Sequence, residues 1–185
     1  MTNNIKLQEV CKQLHIPVVG TTSWPLPIEA REILQESNPC PFTAADIDER
    51  LIGTTDFMPH SAIVCLFPYH MPHEGPTNLS RYTWATDYHL VVTDYLQRLV
   101  DELKTTAPDA SFSIHCDTSP LADRYMAYLA GLGFYGKNKC FINPTWGSYI
   151  VIGTVLTTLE FESNTPMTDT CMGCNRCITS CLGQC

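Results

Sequence analysis

The last fifteen residues limit this chain more than any other stretch, because they hold five of its ten cysteines. Cys171, Cys174, Cys177 and Cys181 follow the spacing C-x2-C-x2-C-x3-C, and Cys185 ends the sequence. This run wraps a [4Fe–4S] cluster in bacterial-type ferredoxins. Thiolates separated by two residues let a tight loop fold round one face of a cubane, and the fourth starts a helix and points elsewhere. Zinc is the competing reading, although its knuckles usually set two cysteine pairs about a dozen or more residues apart. A disulfide framework fits less well, since adjacent C-x2-C pairs make poor bridges and nothing marks the chain as secreted. An iron–sulfur tail makes the preceding residues the part that its electrons serve.

A chain of 185 residues with 44% hydrophobic content can build one ordinary domain and a short appendage. Its net charge of −8 argues against a broad basic surface for nucleic acid. Cys11, Cys40, Cys65, Cys116 and Cys140 lack metal spacing, and each reads as a small buried hydrophobe in a reducing cytosol. The N-terminus has no apolar signal region, and no apolar run reaches membrane length. The expectation is a cytoplasmic protein without a membrane partner.

Along the chain, Leu7, Val10, Cys11 and Leu14 mark a helix face over 4–15, and Ile16 to Gly20 reads as a short strand. Ile28 to Leu34 suits a helix closed by Asn38-Pro-Cys-Pro41. Thr43, three residues before Asp46, is the expected cap of a short helix through Leu51. The continuous apolar run Ser61–Phe67 predicts a central buried strand. No periodicity explains the loop from Pro68 to Tyr82, whose His70 and His73 read as ordinary loop histidines for want of a third ligand. Tyr88, Val91, Val92, Tyr95, Leu96, Leu99 and Leu103 form the apolar stripe of a helix over 87–103. Ser111–Cys116 and Ser148–Thr158 predict strands. Ser119-Pro120 is an N-cap and N1 pair opening a helix to about Ala130, and Glu160–Thr170 is a polar linker. The mixture predicts an α/β sandwich.

Two further constellations stand out. Asp117-Thr-Ser-Pro120 lies where a predicted strand meets a helix start, and there Asp117 can simply cap the helix. Gly131-Leu-Gly-Phe-Tyr-Gly136-Lys137-Asn138-Lys139 is a glycine loop with lysines, which can bring backbone close to a large ligand or phosphate. It is neither G-x-G-x-x-G after a strand nor a P-loop, and alone it says little.

Together these stretches resemble the epoxyqueuosine reductases, cobalamin- and iron–sulfur-dependent enzymes of queuosine tRNA modification. Arg81-Tyr82, Asp87-Tyr88-His89, Asp117-Thr-Ser-Pro120, Gly131 to Asn138, Ile142-Asn143, Gly147-Ser148 and the cysteine tail agree in order and spacing from about Leu14 to Cys181. The reductive dehalogenases, which couple the same two cofactors, are more distantly similar.

The resemblance implies an α/β, nitroreductase-like cobalamin-binding sandwich over residues 1–163 and a partial ferredoxin-like iron–sulfur segment over 164–185. It implies electrons from reduced ferredoxin or flavodoxin entering at Cys171, Cys174, Cys177 and Cys181, reduction of the corrin cobalt to Co(I), and deoxygenation of epoxyqueuosine to queuosine in tRNA. Asp117 matches the family's acid, whose pKa would have to rise from about 3.9 by burial, and Tyr88 matches a neighbouring active-site tyrosine that periodicity alone would assign equally well to the core. Arg81, His89, Gly133, Gly136, Lys137, Asn138 and Ser148 match positions that hold the corrinoid, with Lys139 expected to matter less. Against the family's pattern, the sequence given has Leu182 where a proline usually stands and carries neither the second cysteine run nor the tRNA-gripping helical domain, so the expectation is a shortened form or a separate small-substrate branch. The alternatives are a corrinoid- or flavin-binding electron carrier without tRNA activity, or a zinc- or thiol-bearing interaction module.

Overall fold

The computed structural model describes residues 3–36, 46–53, 55–72, 75, 78–168 and 171–183. Its centre is β2 (Ser61–Pro68), whose residues up to Leu66 are all buried. Alternation along this strand supplies both faces of the core. Ile63 and Cys65 join one apolar cluster, and Ala62, Val64 and Leu66 join the other.

Around β2 stand β1 (Val18–Ser23), β6 (Ile150–Thr157) and β3 (Phe112–Cys116), in the order β1-β2-β6-β3 with every neighbouring pair antiparallel. One face is covered by α1 (Asn3–Gln13) and α4 (Tyr88–Thr106), which meet Ile63, Cys65 and Val155 through Leu7, Cys11, Val92, Leu96 and Leu99. The other is covered by α5 (Asp123–Leu129), whose Met126 and Ala127 pack on Val64, Leu66 and Leu156. Near it lie α2 (Ile28–Glu36) and α3 (Ile47–Ile52), which pack against each other. A small hairpin, β4 (Phe134–Tyr135) with β5 (Phe141–Ile142), follows α5. The result is a three-layer mixed α/β sandwich. Among the described residues no helix is long and apolar enough to cross a membrane.

The central strand, the 87–103 helix and the two later strands lie where the patterns predict them. Several boundaries move for local reasons. The first strand starts at Val18 and runs to Ser23, past the expected glycine, because residues 61–66 of β2 pair with it throughout. α3 is capped by Asp46, whose carboxylate accepts from the Glu49 amide at 2.8 Å; Thr43 and Asn38-Pro-Cys-Pro41 lie outside the described residues, as do His73, Cys40 and Cys185. α5 opens at Asp123 rather than at the Ser119-Pro120 pair, since the Ser119 hydroxyl accepts from Leu121 N–H at 3.1 Å and closes a turn instead.

The expected polar linker is in part a strap. Asn164 donates its N–H to the Thr21 carbonyl at 2.9 Å and accepts from Thr21 N–H through its side chain at 2.7 Å. Asn4 holds the Glu162 carbonyl at 2.8 Å, and Phe161 is buried. Residues 160–164 thus run along β1, across the boundary expected at 163/164.

Cys11 and Cys65 are the buried small side chains expected, with their thiols in contact; that contact first, and then burial, raises the Cys65 thiol well above its ordinary pKa. Cys116 is half-buried, whereas Cys140 is exposed, against expectation, because it sits at the end of the open hairpin loop.

α4 lies close against β6: a Cβ on Gly153 would come within 2.8 Å of Val92 and 2.9 Å of Leu96. Leu96→Ala should therefore cost about 2–5 kcal/mol in a denaturant titration, the range for deleting a fully buried leucine. Val91→Ala, on the exposed side of the same helix, should stay within about 0.5 kcal/mol.

Candidate active site

At the end of β3 the chain turns sharply. Cys116 is the last residue paired with β6, opposite Gly153, and Asp117 follows with φ of 56°. A non-glycine residue in this left-handed region is uncommon, though aspartate tolerates it better than most. The turn aims the Asp117 carboxylate towards the first turn of α4. There Tyr88 donates its hydroxyl to Asp117 Oδ2 at 2.5 Å, and His89 Nε2 lies 3.3 Å from the same oxygen. His89 Nδ1 is in turn 2.7 Å from Asp87, which also caps the helix by accepting from His89 N–H at 2.9 Å.

Asp87, Tyr88, His89 and Asp117 thus form one cluster drawn from a helix N-terminus and a strand C-terminus. Its electrostatics follow from the contacts. The bond to Asp117 raises the Tyr88 hydroxyl, so it stays a donor. The bond to Asp87 raises His89, favouring imidazolium, while the same bond lowers Asp87. Tyr88 stands apart from the buried residues of α4, which begin at Val92, and so serves the cluster. Asp117 is 58% exposed; protein side chains do not supply the burial expected of it.

Asp117 and Tyr88 face a cavity of about 1540 Å³. Tyr69, Tyr82, Ser148 and Ile150–Ile152 line one part of it, α2, α3 and the start of α5 another, and Tyr135 with Lys139–Phe141 a third. Of the residues matched to corrinoid positions, Ser148 lines the cavity. Arg81 does not: it donates to the Met71 carbonyl at 2.9 Å, meets His70 Nε2 at 2.9 Å and lies over the Trp84 and Tyr149 rings, bracing the loop that carries Tyr69. His89 acts behind Asp117.

The glycine loop is placed differently from its sequence reading. A Cβ on Gly133 would lie 2.3 Å from the Ile142 carbonyl oxygen, and one on Gly136 would lie 2.5 Å from Ile142 Cδ1. The hairpin's own backbone requires the glycine at 133, whereas at 136 the neighbours are the ends of the Ile142 and Asn138 side chains. Asn138 accepts from Cys140 N–H at 3.1 Å and closes the loop tip. Lys137 turns to the cysteine tail: its N–H donates to Cys171 Sγ at 3.4 Å and its Nζ to Asn175 Oδ1 at 2.8 Å. Lys139, with φ of 62°, is the lysine that borders the cavity.

In the tail, Cys171, Cys177 and Cys181 are half-buried and Cys174 is exposed, and a short helix α6 (Arg176–Thr179) carries Cys177. Gly173, at φ of 72°, lets the chain turn between Cys171 and Cys174. Among the described residues no group of three His, Cys, Asp or Glu side chains is drawn together as a metal site.

Sequence reading overlooked Asp123. It is half-buried at the start of α5, borders the same cavity, and has its carboxyl pushed up to about 7 by burial first and by nearby Asp117 second, with Arg50 acting the other way. An acid in a helix's first turn looks in a sequence like an ordinary partner of the helix dipole, so no local signal sets it apart.

The sequence profile of the family described as "Epoxyqueuosine reductase QueG, DUF1730" matches residues 57–118, which run from just before β2 through the Tyr88 cluster to Thr118. The epoxyqueuosine reductase of Bacillus subtilis (strain 168) is 30% identical over 190 residues, covering 95% of this chain and 49% of that protein. The chain thus spans about half the length of that relative. The structure of epoxyqueuosine reductase from Streptococcus thermophilus superposes with a TM-score of 0.82 at 25% identity, covering 98% of this chain and 52% of that one. An epoxyqueuosine reductase solved with an epoxyqueuosine-modified tRNA-Tyr stem loop gives 0.79 at 28% identity, covering 96% and 51%. A reductive dehalogenase linked to B12-dependent dehalogenation shares the fold at 0.53 and 14% identity, covering 88% of this chain and 20% of that one.

The Asp123 carboxyl generates a test. A free aspartate titrates near 4, so between about pH 4 and 7 the folded chain binds a proton that the unfolded chain has lost. Stability from this group therefore falls as pH rises through that window, and the penalty is complete above it. Asp123→Asn should melt higher than the parent at pH 8, with the difference shrinking towards pH 4. A pH-independent difference would contradict the assignment.

Proposed function

We propose, from the premise that this chain belongs to the epoxyqueuosine reductase family and spans about half the length of its Bacillus subtilis member, that it is a cobalamin-dependent reductase acting on epoxyqueuosine in tRNA. Electrons would reach it from reduced ferredoxin or flavodoxin through an iron–sulfur cluster on the cysteine tail. The observation that carries the reading is the Asp117 carboxylate, fixed by Tyr88 and His89 at the rim of a large cavity.

Both cofactors suit the residues present. A cavity of about 1540 Å³ exceeds the roughly 300–1,000 Å³ typical of drug-sized ligands; the aromatic and apolar part of its lining suits the body of a corrin, and Arg50, Arg124, Lys139 and Ser148 are among the polar contacts at its edges. The donor set of Cys171, Cys174, Cys177 and Cys181 is all thiol, the chemistry an iron–sulfur cluster requires, and the Lys137 N–H aimed at Cys171 Sγ is the kind of bond that tunes such sulfurs. A bound corrinoid supplies the low-potential reducing chemistry at cobalt.

Removing the oxygen of an epoxide to leave an alkene takes two electrons and two protons and releases water. The chain's part is to place and feed those protons. In this reading Asp117 would deliver a proton to the departing oxygen, with Tyr88 fixing its direction and His89, polarised by Asp87, as the group that would hand one on to it. Asp123 adds a second carboxyl on the same cavity that holds a proton near neutral pH. The negative overall charge leaves tRNA recognition to local contacts rather than a broad basic face.

Two experiments test this reading. Asp117→Asn keeps shape and hydrogen bonding but has no acidic proton. It should retain both cofactors and lose about 10²-fold or more in single-turnover reduction of an epoxyqueuosine-bearing stem loop, and Tyr88→Phe should lose less. Full activity in Asp117→Asn would return this residue to a structural turn. Separately, anaerobic reconstitution should give about four iron and four sulfide per chain, abolished by Cys174→Ala; stoichiometric zinc with no iron in any preparation would refute the electron path.

A further inference from the structure

The hairpin loop between β4 and β5 has two working sides. Tyr135, Lys139, Cys140 and Phe141 border the cavity, while Lys137, at the loop's outer edge, reaches the cysteine segment through both its amide and its side chain. The loop is stiff for its size: Gly136 N–H donates to the Cys140 carbonyl and Lys139 N–H to the Gly136 carbonyl, both at 2.9 Å. Arg124 from α5 also donates to the Lys139 carbonyl at 3.1 Å. Such a loop transmits position from one side to the other.

On the tail, Asn175 is the residue immediately before α6, and its carbonyl accepts from Ile178 and Thr179 N–H at 3.0 Å. The Lys137–Asn175 bond therefore grips the segment between Cys174 and Cys177 at the point where α6 begins. A second anchor, the strap over 160–164, ends before the first of these cysteines.

We propose that Lys137 is a positioning residue for the iron–sulfur segment, a latch that holds Cys171 to Cys177 against the outer side of the hairpin whose inner side borders the cavity, rather than a contact to the ligand in that cavity. The proposal rests on the iron–sulfur reading for its purpose, but the latch itself is a property of the polypeptide. It predicts that the distance between the cysteine segment and the cavity is set by one short loop, and that releasing Lys137 frees the segment without disturbing the sheet.

The test uses the metal-free full chain and amide hydrogen exchange resolved by peptide. Lys137→Ala and Asn175→Ala should each speed exchange of the amides at 178–181 by about two- to tenfold, the factor expected for one lost hydrogen bond. The double variant should be no faster than either alone, and Lys137→Arg should restore part of the protection. Peptides from β2 and β6 should exchange as in the parent, which a general loss of fold would not allow. Unchanged exchange at 178–181 in Asn175→Ala, a change that lies on the tail and cannot weaken the sheet, would overturn the latch. The same samples, reconstituted anaerobically and titrated electrochemically, should show a shifted midpoint potential in Lys137→Ala. Faster exchange with no iron uptake by any form would support the latch and refute the iron–sulfur reading. Normal iron uptake with an unshifted potential and unchanged exchange would do the reverse.

Discussion

The pairing of β2 with β6 over eight residues is the interaction on which the rest of the structure depends. Over Ser61–Leu66 and Gly153–Thr157 both strands are buried between helices, so their backbone groups have no water to fall back on and must find each other. Once that ladder is set, alternation sends Ile63, Cys65 and Val155 towards α1 and α4 and Val64, Leu66 and Leu156 towards α5. β6 then fixes β3 in register, and β3 delivers Asp117 one residue past its last partner. The helix that packs across β6 through Val92 and Leu96 brings Tyr88 and His89 to meet it. A polar cluster drawn from two distant stretches of sequence is thus a by-product of core packing.

Much of this was legible because it is periodic. The apolar run of β2 and the stripe of α4 are signals of burial, and burial is what they deliver. Tyr88 shows where the method stops: it fits the stripe's spacing, yet the first turn of α4 extends beyond the covered face, and its side chain turns to Asp117. Spacing also found the cysteine run but carries no information on whether its thiols converge. The glycine loop illustrates a different limit. Gly133 and Gly136 were legible as positions of close approach, but a sequence does not say what approaches, and here it is the chain's own Ile142. Asp123 was illegible, because its altered acidity comes from burial and from Asp117, and neither is written in its neighbours.

Two lysines two residues apart make the same point about direction. Lys137 and Lys139 flank Asn138 in a loop only a few residues long, and on composition either could serve an anionic ligand. The left-handed backbone at Lys139 reverses the chain there, so that residue borders the cavity while Lys137 reaches the tail. Their surroundings differ across a single left-handed residue.

The turn that carries Asp117 is fixed at both ends, by the Cys116–Gly153 pair in the ladder and by the buried Leu121 side chain. Between those anchors lie four residues whose bonds are local or to side chains. The carboxylate can therefore leave Tyr88 and return without breaking a rung of the sheet. Motion of that size belongs to the nanosecond-to-microsecond range of loops rather than to the slower breathing of a domain. A side chain mounted this way can exchange partners far faster than any step that requires the fold to open.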